Sequence, residues 1–383
     1  MSNLKSSDLA SGLEESATLA LNARVKQMAK DGLTVFNFTA GELPCDTPEY
    51  IRNYVTGKLD QNKYTAVNGL PQLREDIAKY ARNFYNQGWI KTENVVVCPS
   101  VKPGIWASVT ATLNPGDEII LPTPTWVSYK HIVHIAGLKL VQTRLSDNFD
   151  LDIDDIKSKI TGKTKAILLN SPQNPTGAIY SQEKINQLVT LSNENNITVI
   201  SDEIYSKLVF DPVFKPVSSF DFNNLIILDG FSKSQALTGW RIGFIIAPEN
   251  IAKACTKILS HVMGNASIIS QYAAIAALEK DNKPVMFKEL EANLEFACNK
   301  LNEIKKIKYV KPSGAFYIFL DIREMTQESL KWCEDLLQKK GVALVPGEAF
   351  DAPGFARMSF SADPEIIAQG LDLLKEYTEE NYA

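Results

Sequence analysis

Three short segments of this 383-residue chain combine residue types that can carry covalent and acid–base chemistry. In the first, Phe231–Gly243, Lys233 closely follows the apolar run Leu225–Leu228, which places it near the carboxyl end of a predicted strand. Ligands bind at that edge of an open α/β sheet. A lysine removed from bulk water has a lowered pKa and can attack a carbonyl to form a Schiff base. Ser232 and Arg241 accompany it, and both residue types can hold a phosphate.

The two other segments also follow or end predicted strands. Ser171–Gly177 reads Ser-Pro-Gln-Asn-Pro-Thr-Gly and comes after Ala166–Leu169, while Ser201–Tyr205 reads Ser-Asp-Glu-Ile-Tyr. A carboxylate at the end of an apolar strand is costly unless it is paired, so we expect Asp202 to have a partner. Taken singly, each segment is more typical of a turn or a strand end than of a site. Their occurrence together favours a site.

The elements that must position these segments alternate along the chain. Short runs, most of them rich in Ile, Val and Leu, predict buried strands at Val95–Cys98, Glu118–Leu121, Lys139–Thr143, Ala166–Leu169, Thr198–Asp202, Leu225–Leu228 and Ile242–Ile246. Helical patterns cover 69–87, Pro103–Leu113 and Gln182–Glu194. This alternation predicts a mainly parallel sheet covered by helices.

The last third of the chain has a different rhythm. Long helical patterns run from Glu249 to Lys306. They are followed by a small α+β section with predicted strands at Ala315–Leu320, Val342–Val345 and Arg357–Phe360 and predicted helices at Glu328–Lys339 and Pro364–Tyr377. The pattern therefore predicts a large α/β domain and a smaller companion.

Composition and charge narrow the classes of function. The net charge is −5 with no basic block, which is a poor match for DNA or RNA. The five cysteines are widely spread without a C-x-x-C pair, as expected in a reducing compartment. The three histidines have no third metal ligand at suitable spacing, so we predict no metal site. Without a long apolar run or a signal-peptide pattern, we expect a cytoplasmic protein.

Together, the three segments resemble the class I and II aminotransferases, which are pyridoxal-phosphate enzymes of fold type I. The resemblance covers nearly the whole chain and is closest to bacterial-type aspartate aminotransferases of the gamma subgroup. Further counterparts are Ser16-Ala17-Thr18 with Asn22, Ala40-Gly41-Glu42, Tyr64 with Gly69 and Leu73-Arg74, Pro312–Tyr317 and Arg357–Phe360. The resemblance implies a large domain of residues 46–280 with a mainly parallel seven-stranded sheet, a small α+β domain of residues 1–45 and 281–383, and a homodimer.

The resemblance also assigns roles around the cofactor ring. Lys233 would form the Schiff base with pyridoxal phosphate and later move the proton of the substrate Cα as a general acid/base. Asp202 would pair with the pyridine nitrogen and keep it protonated. Asn174 and Tyr205 would hydrogen-bond the 3′ oxygen, and Trp126 would stack on the ring.

The phosphate is assigned to a second group of residues. Ser232, Arg241 and the backbone N–H groups around Ser100, Val101 and Lys102 would hold it, because the N-terminus of a helix favours anions. Tyr64 would reach the phosphate of the neighbouring subunit's cofactor. Relatives have a cis peptide in the Asn-Pro-Thr-Gly loop, which here predicts one between Asn174 and Pro175.

Substrate binding follows from the same resemblance. Arg357 would hold the α-carboxylate through a bidentate pair, with Gly41, Asn174 and Trp126 nearby. Ser16, Thr18 and Lys102 match positions that help bind the side-chain carboxylate of aspartate or glutamate. The predicted reaction is transfer from aspartate to 2-oxoglutarate by a ping-pong route.

Three other functions stay open on the same residues. The chain could be an aminotransferase for prephenate, aromatic or neutral amino acids, or a β-lyase acting on sulfur amino acids. It could also be a cofactor-sensing regulator, but such proteins need an attached DNA-binding domain, and no basic helix-turn-helix pattern is present.

Overall fold

A computed structural model describes residues 4–13, 17–279 and 284–382. Its helices are α1 (Asp8–Ser11), α2 (Ala17–Lys30), α3 (Glu49–Thr56), α4 (Pro71–Phe84), α5 (Val101–Thr112), α6 (Ser128–Ile135), α7 (Ile153–Lys159), α8 (Gln182–Glu194), α9 (Glu249–Val262), α10 (Ile268–Glu279), α11 (Phe287–Leu301), α12 (Ser329–Lys340) and α13 (Pro364–Tyr382). Its strands are β1 (Phe36–Asn37), β2 (Val95–Cys98), β3 (Glu118–Thr123), β4 (Lys139–Arg144), β5 (Thr164–Asn170), β6 (Thr198–Asp202), β7 (Leu225–Gly230), β8 (Gly243–Ile246), β9 (Lys308–Tyr309), β10 (Tyr317–Asp321), β11 (Val342–Ala343), β12 (Val345–Pro346) and β13 (Phe355–Ser359).

A seven-stranded sheet forms the centre of the fold, with the strand order β2-β8-β7-β6-β5-β3-β4. All neighbouring pairs are parallel except those of β8, which runs antiparallel to β2 and β7. Successive side chains of its central strands enter two different apolar clusters, as expected for strands covered on both faces. Helices α5 and α9 contribute to one cluster and α4, α8 and α10 to the other. The predicted mainly parallel sheet is confirmed.

The strand register brings the ends of three strands of this sheet together. Asn170 of β5 pairs with Asp202 of β6, and Asp202 pairs with Leu228 of β7. Because these strands are parallel, the segments that leave them emerge at the same edge of the sheet. The segment that contains Lys233 therefore begins beside Asp202.

A second, antiparallel sheet has the order β12-β13-β10-β9, and β1 pairs in parallel with β11. The predicted strand Val342–Val345 is wrong as a single element. Its first half pairs with β1 and its second half with β13, so the chain changes sheets at the buried Leu344. The pattern of apolar residues does not show this change, because both halves are buried.

The long helical pattern after residue 249 is divided among three helices. Helix α9 ends at Val262, and Gly264 then adopts a φ of +72°, which favours glycine. Within the described ranges, no helix is both long and apolar enough to cross a membrane.

Replacement of Gly370 tests how tightly α13 packs on the N-terminal segment. A Cβ at Gly370 would overlap the ring of the buried Phe38 and lie 3.2 Å from Cβ of Phe36. Overpacking of this kind costs about 1–3 kcal/mol. It exceeds the gain of roughly 0.5–1 kcal/mol that alanine has over glycine inside a helix. We expect Gly370→Ala to lower the free energy of unfolding in urea.

The matched control is Gly162→Ala. A Cβ at Gly162 has no neighbour within 4 Å, so the free energy of unfolding should change by less than about 0.5 kcal/mol. Equal stability of the two variants would contradict the tight packing of Gly370 on Phe38.

Candidate active site

A cavity of about 280 Å³ opens at the carboxyl edge of the large sheet and is closed on one side by residues of the small sheet. It brings together almost all of the predicted site residues, together with some that were not predicted. Its lining residues are Thr39, Gly41, Ser100, Val101, Lys102, Trp126, Tyr129, Asn170, Asn174, Asp202, Ile204, Tyr205, Ser232, Lys233, Thr238, Arg241, Tyr317 and Arg357.

Of the predicted site residues whose side chains the structure describes, Tyr64 alone does not line the cavity. Tyr64 is 97% exposed and lies on the loop between α3 and α4. Ser16 lies outside the described residues. Thr18 belongs to α2, and its side chain is likewise outside the described part of the chain.

Asp202 is the buried carboxylate of the cavity, at the last position of β6. Its Oδ2 accepts a hydrogen bond of 2.8 Å from the hydroxyl of Tyr129, and its Oδ1 accepts one of 3.2 Å from the N–H of Ile204. Burial raises the pKa of Asp202 to about 7, although these two hydrogen bonds and the charge of Lys233 act in the other direction. A carboxylate held in this way favours a cationic N–H partner in the cavity.

Lys233 reaches the cavity from the segment after β7. Its Nζ donates to the carbonyl oxygen of Gly41 at 2.5 Å, and the side chain stays partly accessible. Burial lowers the pKa of Lys233 to about 8, and the positive charges of Arg357 and Arg241 act in the same direction. Roughly a tenth of the amine is therefore neutral at pH 7, far more than for an ordinary lysine, and this form is the nucleophile.

The N-terminus of α5 and Arg241 form an anion-binding corner. Arg241 donates to Oγ of Ser100 and to the carbonyl oxygen of Thr238, both at 2.9 Å. A Cβ at Gly243 would lie 2.9 Å from the backbone nitrogen of Val101, so only glycine lets β8 approach α5 this closely. The free N–H groups of the first turn and the guanidinium are suited to a phosphate.

Trp126 and Lys102 form the adjoining wall. The Nζ of Lys102 lies 4.8 Å from the Trp126 ring centroid, and that ring packs edge-on against Tyr129. Burial lowers the pKa of Lys102, and the charge of Arg241 lowers it further. An anionic ligand at this wall would favour the charged form of Lys102.

Arg357 is a buried cation opposite Lys233. Its two terminal nitrogens donate to Oδ1 of Asn174 at 2.8 Å and to the carbonyl oxygen of Thr39 at 3.0 Å. Among the described residues, its Nε has no hydrogen-bond partner. Burial lowers the pKa of Arg357, but a guanidinium stays charged in proteins. A buried guanidinium held by neutral oxygens is suited to bind a carboxylate.

Asn174 is fixed by the loop after β5. The peptide bond between Asn174 and Pro175 is cis, as predicted. The backbone N–H of Asn174 donates to Oδ1 of Asn170 at 3.0 Å, and Asn170 itself donates to the carbonyl oxygen of Asp202. Asn174 is thus connected to the end of β6 through its backbone N–H and Asn170, and to Arg357 through its side-chain oxygen.

Several lining residues were missed by the sequence reasoning. Tyr129 and Asn170 hold Asp202, Thr39 holds Arg357, and Tyr317 contacts Tyr205. Tyr317 ends Pro312–Tyr317, a segment to which the resemblance assigned no role. Tyr129 could have been considered from the sequence, because it follows the predicted residue Trp126 by only three positions.

The donors of the cavity fit pyridoxal phosphate. The buried carboxylate of Asp202 suits a protonated pyridine nitrogen, and the corner at Arg241 suits a phosphate. Lys233 has the lowered pKa that bond formation with an aldehyde requires. The guanidinium of Arg357 lines the same cavity and suits a second anionic group.

Comparison with known proteins gives an independent result. The family profile described as "Aminotransferase class I and II" matches residues 34–374. Aspartate aminotransferase of Thermotoga maritima is 39% identical over 368 residues, covering 94% of this chain and 96% of that protein. The crystal structure of an aspartate aminotransferase from Thermotoga maritima has a TM-score of 0.93 at 37% identity, covering 98% of this chain and all of the other.

Two further relatives cover the chain equally well. A probable aspartate/prephenate aminotransferase of Aquifex aeolicus is 36% identical, covering 97% of this chain and 98% of that protein. The structure of Thermus thermophilus aspartate aminotransferase with maleate has a TM-score of 0.93 at 31% identity, covering 97% of this chain and 99% of the other.

The raised pKa of Asp202 makes the stability of the ligand-free protein depend on pH. An unfolded aspartate titrates near pH 4, so between about pH 4 and pH 7 the folded protein keeps a proton that the unfolded chain has lost. The free energy of unfolding therefore falls as the pH rises through this window, by at most about 1.4 kcal/mol per pH unit from this group. Asp202→Asn removes this contribution, so urea unfolding should show the variant gaining stability relative to the wild type as the pH rises.

Glu203 and Asp229 also have pKa values raised by burial, to about 7 and about 6, so only the difference between variant and wild type isolates Asp202. Asp152→Asn is the control. Hydrogen bonds from Asp155 and Arg144 lower the pKa of Asp152, so its contribution is complete above about pH 4 and constant through the window. A pH-independent difference for Asp202→Asn would contradict a protonated Asp202.

Proposed function

Because this chain belongs to the class I and II aminotransferases, we propose that it transfers the amino group of L-aspartate to 2-oxoglutarate by a ping-pong route with pyridoxal phosphate. The observation that carries this proposal is the meeting of Lys233, Asp202 and the buried Arg357 in one cavity. The names of the relatives support aspartate as the donor. The dicarboxylate maleate, bound by the Thermus thermophilus enzyme, supports a substrate with two carboxylates.

Pyridoxal phosphate, when bound, supplies a reactive aldehyde and a conjugated ring that accepts electrons. Asp202 would hold the pyridine nitrogen in its protonated form, and Tyr129 keeps the carboxylate in position through its hydrogen bond. The phosphate would be held by Arg241, Ser100 and Ser232 together with the N–H groups at the start of α5. Trp126 would pack against the ring, and Asn174 and Tyr205 would bind its 3′ oxygen.

Lys233 has two tasks at its Nζ. The amine would bind the aldehyde of the cofactor and, when free, would hold the proton removed from the substrate Cα. Both tasks need a neutral amine near neutral pH. Burial and the charges of Arg357 and Arg241 provide it by lowering the pKa of Lys233 to about 8.

The two carboxylates of the substrate are assigned to different walls of the cavity. Arg357 binds the α-carboxylate, since its guanidinium is already oriented by Asn174 and the Thr39 carbonyl. Lys102, beside the Trp126 ring, binds the side-chain carboxylate. Ser16 and Thr18 remain predicted contributors to that second subsite.

The wider organisation stays a prediction. A division into residues 46–280 and residues 1–45 with 281–383 is supported by the pairing of β1 with β11, which joins the start of the chain to its last third. A homodimer is supported by the high exposure of Tyr64, which would reach the partner subunit's phosphate site. A cytoplasmic location also stays a prediction.

Replacement of Lys233 tests the assignment of the cofactor lysine. The purified wild-type protein should show the visible absorption band of lysine-bound pyridoxal phosphate, and the band should change when aspartate is added. Lys233→Ala should lose that band and at least about 10²–10⁴-fold in kcat, the usual contribution of a positioned acid/base. The control is Lys165→Ala, because Lys165 is exposed and only donates to Gly162. A Lys233→Ala variant with the wild-type rate would refute the central assignment.

Replacement of Lys102 tests the substrate class. A charge-assisted hydrogen bond contributes roughly 1.5–3 kcal/mol, so Lys102→Met should lower kcat/KM for aspartate by about 10–150-fold. The kcat/KM for alanine, which has no second carboxylate, should change much less and serves as the internal control. Steady-state rates with 2-oxoglutarate as acceptor provide the measurement.

The same donor panel separates the alternatives. The aspartate assignment would be refuted if the protein turned over aromatic or branched-chain amino acids, or the amino acid formed from prephenate, but not aspartate. Release of pyruvate and ammonia from a sulfur amino acid without any acceptor would identify a β-lyase instead.

A further inference from the structure

Two buried tyrosine hydroxyls meet at the cavity wall. The Oη atoms of Tyr205 and Tyr317 are 3.0 Å apart, and the two residues are only 4% and 1% exposed. Tyr205 follows β6 of the large sheet, whereas Tyr317 begins β10 of the small sheet. Their rings pack edge-on, with centroids 5.9 Å apart. This contact therefore connects the two sheets beside the cavity.

Tyr317 also lies on the guanidinium of Arg357. In the antiparallel pair of β10 and β13, Tyr317 is opposite Ser359, so Arg357 is its diagonal neighbour on the same face. The guanidinium carbon is 4.3 Å from the ring centroid of Tyr317. The ring of Tyr317 thus contacts the predicted carboxylate-binding cation, and its hydroxyl contacts Tyr205.

The direction of the hydrogen bond between the two hydroxyls follows from the number of protons that they carry. Burial raises the pKa of both tyrosines, and it raises that of Tyr205 further above its ordinary range. The positive charge of Arg357 acts to lower the pKa of both hydroxyls, so it does not select the donor. Each hydroxyl has only one proton to give, and Tyr205, which lines the cavity, can donate to a ligand there only when it accepts from Tyr317.

We propose that Tyr317 is a positioning residue that donates its O–H to Tyr205 and so directs the O–H of Tyr205 into the cavity. The inference rests on the proposed function, in which Tyr205 binds the 3′ oxygen of the cofactor. If Tyr205 donated to Tyr317 instead, it would have no proton left for that oxygen. A hydroxyl that accepts one hydrogen bond is also a stronger donor in the next one. Tyr317 therefore strengthens the bond that Tyr205 makes.

Four elements of the fold bring charged groups near the two hydroxyls. They are the end of β6, the segment after β7, β13 and the loop after β1, which carry Asp202, Lys233, Arg357 and Glu42, respectively. None of them is altered when Tyr317 is replaced by phenylalanine. The ring contacts with Arg357 and Tyr205 are also kept, so this change removes the hydroxyl alone.

The test is a pH titration of the visible band of the holoenzyme without substrate. A weaker hydrogen bond from Tyr205 leaves the ring oxygen of the cofactor more basic, so Tyr317→Phe should raise the midpoint by roughly half a unit to one unit. Tyr205→Phe should raise it as well, and the double variant should match Tyr205→Phe alone, because Tyr317 acts through Tyr205. KM for aspartate should change less than kcat, since Arg357 is untouched.

The control is Tyr309→Phe, which removes a hydroxyl from β9 of the same sheet, where it contacts Asn302 and the Cys298 carbonyl. Its midpoint should equal that of the wild type. An unchanged midpoint in Tyr317→Phe, or additive shifts in the double variant, would overturn this inference. The proposed function would still stand in that case, provided that the visible band of the wild-type protein titrates. A wild-type protein that shows no such band would overturn both.

Discussion

The in-register pairing of β5, β6 and β7 is the constraint on which the site depends. It places Asn170 beside Asp202 and starts the segment of Lys233 next to them. Parallel strands can be paired in this way only when helices cover both faces, and the two apolar clusters supply that cover. A slip of one residue would turn Asp202 to the other face of the sheet, away from Tyr129. The apolar interior of the large sheet therefore determines where the polar groups meet.

The electrostatics of the cavity follow from this placement. Four basic side chains, Lys102, Lys233, Arg241 and Arg357, line it together with the single buried carboxylate of Asp202 among the described lining residues. Burial strengthens the electrostatic interactions between these charges, because water is excluded from between them. The same arrangement lowers the pKa of Lys233 and places the guanidinium of Arg357 at the cavity wall. A chain with a net charge of −5 thus concentrates positive charge at one place.

Much of the fold could be predicted from local pattern, and the reasons are physical. Strands such as Thr198–Asp202 and the helix Gln182–Glu194 have the predicted bounds, because buried strands are nearly continuous apolar runs and Ser181 caps the helix. The division at Leu344 could not be predicted, since both halves are equally apolar and only their partners differ.

The candidate site divides in the same way. Residues within motifs, such as Lys233 and Arg241, were predicted because short spacings along the chain carry their signal. The hydrogen bonds from Tyr129 to Asp202 and between Tyr205 and Tyr317 join residues 73 and 112 positions apart. Such pairs are decided by tertiary packing, and no local pattern in a single sequence reports them.

The pairing of β1 with β11 has a consequence for how the chain is made. Phe36 leaves the ribosome early, but its partner Val342 follows roughly 300 residues later, so this contact has a very large separation along the chain. The strands of the large sheet are all synthesised in between and can pair without either of them. The Thr39 carbonyl that holds Arg357 arrives with the same early segment. The buried guanidinium of Arg357 is therefore oriented only when synthesis is nearly complete, after the carboxyl edge of the large sheet has had time to form.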